Sequence, residues 1–200
     1  MGRASRAEAQ AHREEVVTEA ARLFRERGIE GVSVADVMAA AGLTHGGFYR
    51  QFQSKEALVA EATTRAFEEL QALLGGFDAD NPADHAAARE ALVRYYLTPA
   101  HRDNPGEGCP ATGLGASFSR GGESHDARER YAGGVEGFAR WLATAALGGD
   151  SAPTVDLVTT STLVGALTLA RATAGAQLSD DILRTVGESL LAQARSADPA

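Results

Sequence analysis

Between Glu14 and Leu58, helix start and stop signals follow one another so closely that only short packed helices fit. Val16, Val17, Ala20, Leu23 and Phe24 form an apolar stripe at helical spacing, with Glu14, Glu15, Glu19, Arg22, Arg25 and Glu26 on the other side. Gly28 closes that helix. Ser33 and Asp36 make an S-x-x-D cap for a second helix over residues 34–41, and Gly42 ends it. Thr44 is the N-cap of a third helix reaching Phe52, and Ser54 caps a fourth over residues 55–74.

Helical spacing persists downstream, and no stretch alternates as a strand would. Residues 85–98 read as a helix ended by Pro99, and residues 101–108 as a polar loop. Cys109-Pro110 opens a short helix through Phe118, and residues 119–124 form a turn. Further helices follow over residues 126–147, 153–175 and 179–194, with GGDSAP as a linker-like break. The expected fold is all-α, about nine helices, as counted from these capping signals. It divides into a three-helix helix-turn-helix unit over residues 1–54 and a helical body over residues 55–200.

Charge divides the same way. The net charge is −8, yet residues 1–60 carry eight bases and eight acids, so the whole deficit lies beyond residue 60. A neutral head on an acidic body is the better placed part to approach a polyanion. No apolar run reaches the roughly 18 residues of a membrane span. MGRASRAEAQ lacks the apolar core of a signal peptide, and Arg6 stands where an N-myristoylation signal needs a hydroxyl. With a single cysteine no intrachain disulfide forms, so the expected setting is cytoplasmic, without membrane association. The five histidines include no H-x-x-x-H pair, and neither G-x-S-x-G nor a Walker loop occurs. The expectation is therefore a protein that is not an enzyme, with no metal and no cofactor.

Residues 34–52 have helix-turn-helix grammar. Val34, Val37 and Met38 face inward, Leu43 fills the turn, and Phe48 and Phe52 anchor the second short helix against Leu23 and Phe24. His45, Tyr49 and the neighbourhood of Gly46 and Arg50 then face out, toward a DNA major groove. Gly46 and Gly47 each cost roughly 1 kcal/mol of helix propensity. Two readings explain them. Their bare backbone lets a base edge or phosphate approach closely, or they relieve crowding against Val34 or Val37.

Residues 16–62, with G-x-x-x-x-S-V-x-D-V, A-x-A-G-L-T and F-Y-x-x-F-x-S-K-E-A-L in continuous register, resemble the N-terminal domain of TetR-family transcriptional regulators. The C-terminal part carries no comparable match. The resemblance implies a homodimer that binds a double-stranded, palindromic DNA operator and is released by a small-molecule effector, most commonly as a repressor. It places Ser33, Thr44, Tyr49 and Lys55 at phosphates and His45 and Gly46 at bases, with Gly47, Arg50 and Gln51 as further contacts. Arg3 and Arg6 form either a DNA-binding arm or a solvated tail. It also implies that the last two helices pair between protomers, through Leu163, Leu167, Ala170, Ile182, Val186 and Leu190.

The middle helices are the place for an effector, with Tyr95, Tyr96, Cys109, Leu114, Phe118, Phe138, Trp141 and Arg171 as candidate lining and plain core packing as the competing role of the aromatics. Cys109 at a helix start is either a thiol of lowered pKa, making the protein a redox or electrophile sensor, or a small buried hydrophobe. A ligand-binding module that no longer reads DNA is the remaining alternative.

Overall fold

The computed structural model describes residues 6–143 and 155–197, and they contain helices and no strand. The Arg3 arm, the expected helix end at 144–147, the 148–153 linker and the expected helix start at 153–154 lie outside the described residues.

The head comprises α1 (Arg6–Arg27), α2 (Val34–Ala40) and a 3-10 helix, His45–Arg50. Gly28 and Gly42 adopt φ of +76° and +68°, the left-handed backbone that lets a chain leave a helix without a Cβ clash. The segment after Thr44 winds as 3-10 rather than α. Gly47 N–H donates to the Thr44 carbonyl and Gln51 N–H to that of Phe48, both at 2.9 Å, and only Phe52 closes a longer loop. A run this short, opened by two glycines, has too few i→i−4 bonds to hold the wider helix.

α3 (Lys55–Asp80) then leaves the head and continues through Gly75 and Gly76, six residues past the expected end. Its first half (Leu58, Val59, Ala62, Ala66) packs into the head core and its second half (Phe67, Leu70, Leu74) into the body core. The body adds α4 (His85–Tyr96), α5 (Pro99–Asp103), α6 (Pro110–Arg120), α7 (His125–Leu142), α8 (Leu157–Ala172) and α9 (Gln177–Ala197).

Two expectations change here. Pro99 opens α5 as its first residue, with the Thr98 hydroxyl accepting the His101 N–H at 3.2 Å. The expected polar loop is thus α5 plus a 3-10 turn, Pro105–Glu107, and His101 is buried. Arg25, expected on the solvent side of α1, is also buried. Residue 113 is glycine where α6 crosses α1. A Cβ there would stand 3.0 Å from Arg25 Cα and Cβ, so the two helices meet backbone to backbone. None of the helices among the described residues is long and apolar enough to cross a membrane.

Candidate functional site

Phe48 and Phe52 are enclosed in the head core with rings stacked at 5.3 Å, and Arg13 lies 4.6 Å over the Phe52 ring. That anchor turns the opposite edge of the 45–50 segment outward. Tyr49 is 69% exposed, edge-on to Phe48, and His45, Gly46 and Arg50 are exposed beside it. A Cβ at Gly46 would meet nothing within 4 Å, and one at Gly47 would rest 3.6 Å from Met38 Cε, an ordinary contact. Internal crowding against Val34 or Val37 therefore does not require either glycine.

The flanking polar groups are held by local bonds. Ser33 N–H donates to Asp36 Oδ2 at 2.8 Å, the Ser33 hydroxyl donates to the same oxygen at 2.6 Å, and Asp36 N–H returns a bond of 3.1 Å. The hydroxyl and amide of Ser33 hold the Asp36 carboxyl below its usual range. Ser33 thus has its hydroxyl hydrogen committed inside the capping box. Thr44 is exposed and makes no side-chain cap bond. Lys55 Nζ donates to the Ile29 carbonyl at 2.7 Å and lies over the Phe24 ring, fixing the start of α3 to the α1–α2 turn. Gln51 is half-buried behind the turn.

A second feature lies under the head. A cavity of about 280 Å³ is bounded by Arg25 of α1, Glu69, Leu70 and Leu73 of α3, Tyr95 and Tyr96 of α4, His101 of α5, and Glu107 to Pro110 at the start of α6. Of the expected lining it gathers Tyr95, Tyr96 and Cys109. Leu114 and Phe118 instead complete the core beneath the head, and Phe138 sits in the body core. Each lies on the one buried face of its helix, Leu114 and Phe118 on α6 and Phe138 on α7, while the opposite face of α7 is exposed. Trp141 donates to Asp78 Oδ2 at 2.7 Å, near the end of α3. Arg171 stands behind the cavity, where it donates from Nε and Nη2 to the Arg102 and His101 carbonyls at 3.1 Å.

His101 is fixed as the Nδ1–H tautomer. Nδ1 donates to the Tyr96 carbonyl at 2.8 Å, so Nε2 is the acceptor for the Cys109 N–H at 3.1 Å. Burial lowers its pKa and keeps the ring neutral. Cys109 is the N-cap of α6 as expected, but burial pushes its thiol pKa up rather than down. Desolvation outweighs the helix start there.

Sequence reasoning missed Arg25, Glu69 and His101. Val17, Ala21 and Arg25 follow one another at i, i+4 and i+8, a spacing that already placed Arg25 under the buried face.

Leu163, Leu167 and Ala170, expected to face a partner, are fully enclosed by their own chain, and Ile182, Val186 and Leu190 are half-buried against the same core. The apolar positions that α8 leaves uncovered are different ones. Leu157, Val158 and Leu169 are 57%, 77% and 56% exposed, and Leu178 of α9 is 56% exposed.

Residues 16–62 match the family model described as bacterial regulatory proteins of the tetR family. The chain is 39% identical over 59 residues to the transcriptional repressor DhaR of a Mycobacterium species, covering 30% of each chain. Its matches span 30–44% of the length of the first three curated relatives. It is 29% identical to an HTH-type transcriptional regulator of Mycobacterium tuberculosis over 92% of this chain and 96% of that one. A solved TetR transcriptional regulator from Chloroflexus aurantiacus superposes with a TM-score of 0.69 at 25% identity, covering 92% and 96% of the two chains.

Proposed function

We propose that the chain is a TetR-family transcriptional regulator, a repressor that a small molecule releases from a palindromic operator. The observation that carries this reading is the 45–50 turn. It is anchored by two buried rings, its leading edge is bare of side chains, and nothing inside the protein needs the two glycines. The bare edge lets backbone approach a base edge or phosphate, with Thr44, His45 and Tyr49 around it and Arg50 beyond. Ser33 and Lys55 stand at the rim of this face. Their local bonds limit them to supporting roles unless DNA displaces those bonds.

Residues 1–54 act in this reading as the DNA-reading domain and residues 55–200 as the effector and dimerisation domain. Two protomers set their turns about one DNA repeat, roughly 34 Å, apart. The uncovered ridge of α8, with α9 beside it, is the proposed dimer face. The cavity under the head is the proposed effector site, and the protein works beside its DNA, in the cytoplasm. Release requires an effector that binds the non-reading conformation better. A hundredfold loss of operator affinity corresponds to about 2.7 kcal/mol of coupling. Cys109 enters as cavity wall, since a buried thiol of raised pKa is a poor nucleophile.

Selection of bound duplexes from a random pool tests the reading. A palindromic sequence should emerge and be retained at low salt. A pool without a winner would leave a ligand-binding module that does not read DNA.

A further inference from the structure

We propose that the cavity under the head takes a small aromatic carboxylate, whose carboxylate group replaces Glu69 on Arg25. This rests on the effector reading above and names the ligand's class.

Arg25 projects from α1 with its side chain only 3% exposed, and Nη2 lies 2.7 Å from Glu69 Oε2. Its Nε is buried without a hydrogen-bond partner. Nε–H and Nη2–H form one edge of the guanidinium fork, the edge that a carboxylate engages with two parallel bonds. Glu69 leaves one of those donors unmet. A buried donor without an acceptor is a standing cost that a ligand oxygen removes.

Charge selects the ligand further. Removing Glu69 from Arg25 without a replacement would strand a buried cation, so only an anion can displace it at low cost. The Glu69 side chain is 35% exposed and can turn toward water once displaced. Arg171 does not line the cavity but adds a second positive charge behind Gly108 of its wall. A Cβ on Gly108 would lie 2.7 Å from its Nη2, and no ion pair to Arg171 occurs among the described residues. Glu107, the other carboxylate on the wall, also faces Arg22, which offsets its charge.

The remaining wall selects a flat apolar body. Tyr95 stacks on neutral His101 at 5.4 Å, Tyr96 meets the same ring edge-on at 4.6 Å, and Leu70, Leu73 and Pro110 close the sides. A volume of about 280 Å³ suits one ring with a short substituent, at the lower end of ligand cavities. Occupancy would be felt by the head directly, because Arg25 is part of α1 and its backbone abuts Gly113 of α6.

Calorimetric titration of the full chain with benzoate, benzamide and cyclohexanecarboxylate tests this, with binding to the selected operator followed in parallel. Benzoate should bind about tenfold or more tightly than benzamide, the neutral isostere that lacks the second charged bond. Cyclohexanecarboxylate should be weaker than benzoate, since it cannot stack. Arg25→Met should abolish benzoate binding. Because that variant can also unfold, Glu69→Gln is the deciding one, and by removing the competitor it should tighten benzoate about tenfold. Benzamide binding as well as benzoate, no benzoate binding, or weaker benzoate binding in Glu69→Gln would each overturn the proposal. If the unliganded protein still retains its operator in those cases, the regulator reading stands and only the ligand class fails. Loss of operator binding by the unliganded wild type would instead sink the reading itself.

Discussion

A methyl group placed on Gly46 would touch nothing of its own chain, whereas it would project from the edge that faces DNA in the proposed complex. Folding and binding therefore separate at this residue. Gly46→Ala should leave the melting temperature unchanged or raise it slightly, since alanine favours helix by roughly 1 kcal/mol over glycine. Operator affinity should fall about tenfold or more by gel retardation, because one added carbon at a packed polar interface forces the backbone off its contact. An affinity equal to wild type would refute the close-approach role. Tyr49→Phe asks a narrower question. The ring is exposed, and in the proposed complex the hydroxyl is the part that reaches a phosphate, so its loss should cost about 1 kcal/mol, or about fivefold in affinity. Because phosphate contacts carry no base information, that loss should be the same for every operator variant. His45→Ala should instead change which bases are selected, the signature of contact in the groove.

Helices connect the cavity to the head, and α6 does so with both ends. Its start forms the cavity wall through Cys109 and Pro110, and its last turn grips the head. There the Ser117 hydroxyl accepts the Ile29 N–H at 3.1 Å and donates to Glu30 Oε2 at 2.8 Å, while Arg120 holds the same carboxylate at 3.0 Å. Arg120 first, then Ser117, lowers the Glu30 pKa to about 2. A depressed folded pKa stabilises at pH above the unfolded value near 4.3, and that contribution disappears as pH falls toward the folded value. The side chain is half exposed, so screening reduces the effect to about 0.5 kcal/mol. Glu30→Gln should flatten the acid limb of stability between about pH 4.5 and 2 by that amount. An unchanged acid limb would mean the latch carries no free energy. The bounds of α2 were legible because Ser33, Asp36 and Gly42 act on their own neighbours. The burial of Arg25 and His101 was less so, because each depends on elements far along the chain, Glu69 for one and the start of α6 for the other. Pro99 was ambiguous for a local reason. A proline that cannot continue one helix is also a favoured first residue of the next.

At the scale of the molecule, apolar periodicity told which side of α8 is buried but not which chain buries it. Leu163, Leu167 and Ala170 turned out to be covered by their own protomer, while Val158 and Leu169 project. Val158, Thr162, Gly165 and Leu169 follow at i, i+4, i+7 and i+11, one continuous ridge, and a Cβ on Gly165 would meet nothing of its own chain. Large apolar side chains gathered on one uncovered helix face mark a place for close helix packing. Two aspartate substitutions two residues apart then have opposite expected outcomes. Leu167→Asp buries an unpaired carboxylate in the body core and should cost several kcal/mol, unfolding the chain. Leu169→Asp should leave each protomer's helical signal intact and split the proposed dimer, read as a halved mass in light scattering. The resulting monomer still carries a complete 45–50 turn, so it should bind single half-sites weakly and lose its preference for the palindrome over one half. Binding energies of linked half-sites combine through effective concentration, so the expected loss is about a hundredfold or more. A Leu169→Asp protein that remains dimeric and keeps that preference would place the interface on another face and require the two turns to be spaced by different helices.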